Sequence, residues 1–156
     1  MKKNQKRHFQ IFDASEYRVG IVCAKFNSDI TDKILETALE KLNEYGVKPD
    51  SISVRYVAGS VEIPVILQTM AKTKKYDFLI ALGAIIKGET DHYHYVAKIV
   101  TDGILRTMMD YNLPVGFAVL TTRNKKLAQA RFVIGAEAAE AALQNVKIIK
   151  NIKKTG

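Results

Sequence analysis

The chain has 156 residues, of which 47% are hydrophobic and 26% are charged, and these values predict one soluble globular domain covering residues 1–156. The single cysteine, Cys23, excludes an intramolecular disulfide and fits a core residue in a reducing compartment. Apolar runs stay shorter than the roughly 18 residues of a membrane span, and the basic N-terminus lacks the apolar segment of a signal peptide. We therefore expect a cytoplasmic protein with no membrane partner.

The formal net charge of +8 comes largely from the two ends of the chain, MKKNQKR at the start and KIIKNIKK near the finish. A protein that binds nucleic acid usually carries its basic residues as a patch or stripe on one face. We interpret the excess charge instead as solvated termini, with residues 1–8 as a mobile arm. The sequence therefore predicts no nucleic-acid partner.

Strand and helix patterns alternate along the chain. The motif FQIF, residues 9–12, is a candidate for a short strand that stands alone. Apolar runs rich in β-branched residues predict strands at 17–26, 51–57, 77–86 and 113–122. Apolar residues at helical spacing, such as Ile30 and Ile34, predict helices at 29–46, 61–73, 96–112, 126–131 and 135–151. Ser28 or Thr31 is the predicted cap of the first helix.

This alternation predicts an α/β protein, a three-layer α/β/α sandwich with a parallel sheet and flavodoxin-like topology. In such sheets, ligands bind at the carboxyl ends of the strands. Four segments follow the predicted strands, and we expect them to meet at one edge of the sheet: FNS, AGSVE, KGETDH and TTRN.

The loop Gly88-Glu89-Thr90 precedes a predicted helix. A helix start offers free N–H groups and the positive end of the dipole, so the loop is either a phosphate cradle or a plain capping turn. The sequence contains neither GxxxxGK[ST] nor GxGxxG, so a nucleotide is not the indicated ligand.

His92 follows this loop, where it is either a general acid–base residue or a structural histidine. His94 is two residues further on, and helical metal ligands are usually three or four residues apart. No cysteine is nearby. The sequence therefore predicts no metal site.

Three more side chains have two interpretations each. Phe26 either stacks on a flat heterocycle or covers the core. Glu62 either favours the start of a helix electrostatically or accepts hydrogen bonds from a polyol. Arg131 either binds a phosphate in a fork geometry or is solvated. Together with His92, these residues suit a condensation between a phosphorylated small molecule and a flat nitrogenous ring.

The ordered motifs FNSDIT, VAGSVEIP, ALGAIIKGETDHYHYV and PVGFAVLTT, followed by QAR, resemble the lumazine synthase family over residues 17–143. The resemblance implies a transferase of riboflavin biosynthesis that needs no cofactor or metal. The family condenses 5-amino-6-(D-ribitylamino)uracil with 3,4-dihydroxy-2-butanone 4-phosphate to 6,7-dimethyl-8-ribityllumazine. The implied steps are imine formation, phosphate elimination, tautomerisation, ring closure and dehydration.

The resemblance also implies a role for each matching residue. His92 corresponds to the catalytic histidine. The phosphate ligands would be Glu89, Thr90 and Arg131. The pyrimidine and ribityl contacts would be Phe26, Ser60, Val61, Glu62, Ala84, Ile85, Ile86 and Phe117. Phe117 would come from a neighbouring subunit, so the implied site lies between subunits of a homopentamer.

The sequence departs from the family pattern at several places. Ala58 and Ser60-Val61 replace Pro and Ala-Phe of the usual VPGAFEIP, and His94 replaces the usual aspartate. The segment after Arg131 is shorter than the usual Gly/Lys-rich loop, so we expect a pentamer or a pair of pentamers rather than a sixty-subunit shell. Riboflavin synthase is a candidate partner. The alternative function is that of a non-catalytic flavodoxin-like module that binds flavin or lumazine.

Overall fold

The computed structural model describes residues 8–155 of the chain. Seven of the eight residues predicted to form a mobile arm, 1–7, lie outside this range. The strands are β1 (Val19–Ala24), β2 (Ile52–Val57), β3 (Phe78–Ile86) and β4 (Val115–Thr122). The helices are α1 (Ser28–Glu44), α2 (Ile63–Lys72), α3 (His92–Tyr111), α4 (Lys125–Gln129) and α5 (Ile134–Thr155). Short 3₁₀ turns, Pro49–Ser51 and Ser60–Glu62, precede β2 and α2.

The four strands form one parallel sheet in the order β2-β1-β3-β4. In the register, Val19 of β1 lies between Ile52 of β2 and Phe78 of β3, and Leu79 of β3 faces Val115 of β4. The two central strands are buried almost throughout, whereas β2 and β4 form the edges and have exposed positions. The predicted α/β class with a parallel sheet is confirmed.

The sheet separates two apolar cores, which give the three layers. Ile80 on one face packs with α1 and α5, and its neighbour Leu79 on the other face packs with α2 and α3. Burial of one such side chain contributes about 1.5–3 kcal/mol to folding. Because both faces are covered, the central strands are continuous apolar runs rather than alternating ones. Their carboxyl ends are therefore held rigidly where the loops begin.

The strand prediction for residues 9–12 was wrong within the single chain. The segment forms no strand, and Phe9 and Ile11 are exposed. Phe12 instead packs edge-to-face on Tyr17 and Tyr45, with ring centroids 6.2 and 5.1 Å away. An apolar segment becomes a strand only when another backbone pairs with it, and the sheet of the described residues does not extend to this one.

Two helix starts also differ from the sequence-based expectation. Neither Ser28 nor Thr31 caps α1, because Asn27 occupies the cap position with φ of 62° and makes no side-chain cap bond. The hydroxyl of Thr31 donates instead to the carbonyl of Ala24 at 2.8 Å.

Helix α3 begins at His92, four residues earlier than the pattern predicted. Histidine and tyrosine residues, which have weak helix propensity, fill this first turn. The apolar spacing used to predict helices is therefore missing there.

Candidate functional site

A cavity of about 320 Å³ lies at the carboxyl edge of the sheet, above β1 and β3. Three of the four predicted segments contribute to it, those that follow β1, β2 and β3. Its lining residues are Phe26, Gly59, Ser60, Val61, Glu62, Ala84, Ile85, Ile86, Gly88, Thr90, His92, Tyr93 and Val96. The expectation that these three segments meet at one edge is therefore confirmed.

The segment after β1 places Phe26 at the rim of the cavity. The backbone N–H of Phe26 donates to the carbonyl of Ala58 at 3.0 Å, and the preceding Lys25 N–H donates to Val57. The ring itself is 72% exposed, so it covers little of the core. A flat ring that is fixed through its backbone but open to solvent is suited to stacking on a planar ligand.

The segment after β2 forms the floor and one wall. One carboxylate oxygen of Glu62 accepts a hydrogen bond of 3.0 Å from the N–H of Gly59, which closes the turn. Ser60 is only 8% exposed and lies against Gly83 of β3. A Cβ atom at Gly83 would stand 2.6 Å from the Ser60 hydroxyl oxygen, so the absence of a side chain there lets the turn approach the sheet.

The segment after β3 leads from the sheet into α3. Ala84 and Ile85 are buried at the strand end, Ile86 is half-buried, and residues 87–90 are exposed. A Cβ atom at Gly88 would meet no atom within 4 Å, so the backbone there faces open space. The hydroxyl of Thr90 accepts a long hydrogen bond of 3.4 Å from the N–H of His92. The cap residue of α3 is Asp91, which makes no side-chain cap bond, and the open backbone at Gly88 leaves space beside the start of the helix.

The two neighbouring histidines differ in position. His92 is the first residue of α3 and lines the cavity, whereas His94 is exposed and does not line it. The ring of His94 lies edge-to-face on the ring of Tyr93, with centroids 5.3 Å apart. On a helix, residues two apart point to different sides, which accounts for the contrast.

Three of the predicted site residues lie outside the cavity: Glu89, Phe117 and Arg131. Phe117 is in the middle of the edge strand β4 and is 41% exposed. Arg131 follows α4, and its Nη1 donates to the carbonyl of Leu127 at 2.7 Å. The TTRN segment after β4 does not line the cavity either, because β4 is the edge strand on the far side of β3.

Sequence reasoning missed several residues of this site. Tyr93 and Val96 line the cavity because α3 starts early and turns them toward the core of α2 and α3. Asn27 carries out a positioning role, since its Nδ2 donates to the carbonyl of Ala84 at 3.0 Å and joins the ends of β1 and β3. Asparagine tolerates the left-handed backbone observed there, and this is the one signal that could have found it.

Cys23 and Asp29 have shifted pKa values, but both lie outside the cavity lining and add no nucleophile to it. Burial raises the pKa of the Cys23 thiol to about 11, so the thiol stays protonated at neutral pH. A hydrogen bond from Lys125 lowers the pKa of Asp29, at the start of α1.

Among residues 8–155, no group of three or more His, Cys, Asp or Glu side chains could hold a metal ion. Helices long and apolar enough to cross a membrane are likewise absent from this range.

The fold and the cavity define an α/β protein that binds a small molecule at the carboxyl edge of a parallel sheet. The model of the 6,7-dimethyl-8-ribityllumazine synthase family matches residues 16–150. The 6,7-dimethyl-8-ribityllumazine synthases of Coxiella burnetii strains CbuG_Q212 and RSA 493 / Nine Mile phase I are each 40% identical over 146 residues, which cover 90% of this chain and 97% of each relative. The synthase of strain Dugway 5J108-111 is 39% identical over the same length.

The chain therefore belongs to the 6,7-dimethyl-8-ribityllumazine synthase family. This membership confirms the predicted activity, the condensation of riboflavin biosynthesis that yields 6,7-dimethyl-8-ribityllumazine, and with it the class of transferase. The enzyme is favoured over the alternative of a non-catalytic flavin-binding module.

Proposed function

We propose that the cavity at the ends of β1 and β3 binds both substrates of this condensation, with His92 as the acid–base residue. The observation that carries the proposal is that His92 lines the same cavity as Phe26 and Thr90. A stacking ring, an anion-binding loop and an imidazole that can accept and donate protons then act on one bound pair of substrates. The reaction needs these three functions because it joins a flat amine to a phosphorylated ketone.

The pyrimidine ring stacks on Phe26 and places its polar edge against the backbone at the end of β3, Ala84 to Ile86. The strand end offers N–H and C=O groups in a fixed orientation. The ribityl chain extends over Ser60, Val61 and Glu62. This assignment is supported by the second carboxylate oxygen of Glu62, since the turn to Gly59 uses only one of the two oxygens.

The phosphate of the second substrate binds at the loop of Glu89 and Thr90, largely through backbone N–H groups at the start of α3. Binding there would hold the ketone beside His92. The pyrimidine amine attacks the ketone carbon, water leaves, and an imine forms. His92 transfers protons in this step and in the later elimination of phosphate, tautomerisation, ring closure onto the second carbonyl carbon and loss of a second water.

Phe117 and Arg131 complete the cavity of a neighbouring subunit rather than their own. Phe117 lies in the edge strand β4, and Arg131 lies further along the chain, after α4. Neither residue lines the cavity of its own chain. The guanidinium of Arg131 is at the surface, where it can exchange the carbonyl of Leu127 for a phosphate. The active protein is therefore a homo-oligomer, and the family pattern indicates a pentamer.

Exposed apolar side chains support this oligomer. Tyr95, Ile99, Leu105 and Met109 are all exposed on α3, and Phe9 and Ile11 are exposed on a segment without a strand partner. In the sheet formed by residues 8–155, β2 is an edge strand, to which an extended segment of another copy can add. We further infer that the enzyme acts in the cytoplasm and passes its product to riboflavin synthase.

The direct test is to mix the purified protein with both substrates and follow lumazine fluorescence. The synthase produces the signal only when both substrates are present. A protein that binds added lumazine but never accelerates its formation would instead be the non-catalytic module.

A further inference from the structure

The first turn of α5 is bonded to the middle of α1 through one side chain, Thr37. Its hydroxyl accepts a hydrogen bond of 3.0 Å from the N–H of Ala136. The same hydroxyl can donate to the carbonyl of Phe132 at 2.8 Å or to that of Ile34 in its own helix at 2.9 Å. Thr37 thus satisfies a free N–H at the start of α5 and holds the residue that follows Arg131.

The backbones of the two helices also touch at this point. A Cβ atom at Gly135 would overlap the carbonyl oxygen of Ile34 and the Thr37 hydroxyl, so only glycine fits there. This close approach leaves the connection between α4 and α5 little freedom. The Thr37 hydroxyl and the Gly135 contact hold the α5 end of this connection on the middle of α1, while the Lys125–Asp29 ion pair ties α4 to the start of α1.

Arg131 lies in that connection. Its N–H donates to Ala128 and its carbonyl accepts from Ile134, each over about 3 Å, so its backbone follows the ends of α4 and α5. Helix α1 itself is tied to the cavity, through Thr31 to Ala24 and through Asn27 to Ala84. These bonds fix α1 on the sheet, and Thr37 fixes the segment beside Arg131 on α1, so the arginine has a defined place on the surface that its own subunit would present to the neighbouring cavity.

We propose that Thr37 is a positioning residue for Arg131, setting where the guanidinium meets the phosphate of the butanone substrate. The proposal rests on the phosphate-binding role given to Arg131 above. Thr37 does not touch the substrate. Its hydroxyl fixes the Phe132 carbonyl and the first turn of α5, and so the backbone from which the arginine side chain extends.

The test compares Thr37→Val, which keeps the shape but removes the hydroxyl, with Thr37→Ser, which keeps the hydroxyl. Thr37→Val should raise KM for the butanone phosphate by roughly three- to tenfold, the range of one neutral hydrogen bond. KM for the pyrimidine and kcat should change little, and Thr37→Ser should restore the wild-type KM. Thr69→Val is the matched control, because the exposed Thr69 hydroxyl bonds only to Val65 in its own helix.

A loss of folded protein alone would lower the active fraction without changing the KM of one substrate. If Thr37→Val is too unstable to assay, Thr37→Ala removes the same hydroxyl without the added methyl group, and the same KM difference is expected. An unchanged KM for the phosphate substrate in a folded variant, or no rescue by serine, overturns the proposal.

The Arg131→Ala background separates this proposal from the function on which it rests. If Thr37 acts through the arginine, Thr37→Val should have no further effect on KM in that background. An equal effect with and without Arg131 shows that Thr37 acts by another route. If Arg131→Ala itself leaves KM unchanged, the phosphate-binding role of the arginine fails, and the Thr37 proposal fails with it.

Discussion

Asn27 and Ala84 are joined by a hydrogen bond of 3.0 Å, from the side-chain amide of one to the backbone carbonyl of the other. The bond ties the end of β1 to the end of β3, the two strands beneath the cavity. Because Asn27 follows Phe26 directly, the bond also fixes the position of that ring. Asn27 adopts the left-handed backbone conformation, with φ of 62°, which most residues avoid.

Replacement of Asn27 should therefore weaken both stability and pyrimidine binding. Asn27→Gly keeps the backbone conformation and removes the amide, leaving a buried carbonyl unpaired at a cost of about 1–3 kcal/mol. Asn27→Ala should cost roughly 1–2 kcal/mol more, because alanine is strained in the left-handed region. Denaturant unfolding and KM for the pyrimidine measure the two effects. Equal stability of the alanine and glycine variants would show that the backbone conformation contributes nothing.

Gly83 and Ser60 provide a pair of substitutions that should compensate. Gly83→Ala places a methyl group 2.6 Å from the Ser60 hydroxyl oxygen and 3.3 Å from Cδ1 of Ile63, so the turn must move away from the sheet. We expect a loss of about 1–3 kcal/mol in stability and a higher KM for the pyrimidine. Adding Ser60→Ala removes the hydroxyl oxygen and should recover part of both.

Ser60→Ala alone is the control for this pair, since alanine is the residue that the family usually carries. It should remain folded and active. A double variant that is as impaired as Gly83→Ala alone would place the strain elsewhere, at Ile63 or Val119, which also lie near Gly83.

Arg131→Ala should weaken binding of the butanone phosphate and spare the pyrimidine. A charge-assisted hydrogen bond to phosphate contributes roughly 1.5–3 kcal/mol, so KM for this substrate should rise about ten- to hundredfold. Steady-state kinetics with each substrate varied in turn measure the difference. Arg123→Ala, which removes an exposed arginine outside the cavity, is the matched control. Equal KM values for the phosphate substrate in Arg131→Ala and wild type would contradict the role.

Sharing of the site between subunits can be tested by mixing two impaired variants and assaying them at a low concentration of the butanone phosphate. When His92→Ala and Arg131→Ala chains are co-refolded in equal amounts, about a quarter of the shared sites combine an intact histidine with an intact arginine. Activity should then exceed that of either variant alone. If all mixtures have only the average activity of the two variants, both residues act in the same subunit, and the intersubunit site is wrong. Light scattering on the same samples reports the oligomer.

The sequence predicted the central strands and three parts of the cavity, because burial on both faces makes β1 and β3 continuous apolar runs. The observed order β2-β1-β3-β4 is the predicted flavodoxin-like one, yet TTRN does not line the cavity, because β4 is the edge strand beyond β3 and the cavity lies above β1 and β3. Asn27 was missed because its partner, Ala84, is distant in the chain and contributes only a backbone carbonyl.

The start of α3 shows the limit of apolar periodicity. Histidine and tyrosine residues fill its first turn, so the pattern predicts the helix only from Val96 and places Tyr93 in a loop, although Tyr93 lines the cavity. The motif FQIF is apolar enough for a strand but pairs with no strand among residues 8–155. Its conformation in an oligomer depends on a partner that no local pattern describes.

The rate of lumazine formation by His92→Ala tests the central claim most directly, with His94→Ala as its matched control. Loss of one general acid–base group costs about 10²–10⁴ in rate, while substrates held side by side should still react slowly. His92→Ala should therefore be slow but measurable, with KM values close to wild type, and His94→Ala should be nearly unimpaired. His94→Asp, the usual family residue, should keep or raise activity. A fully active His92→Ala enzyme, or a His94→Ala enzyme that is equally slow, would contradict the assignment of His92.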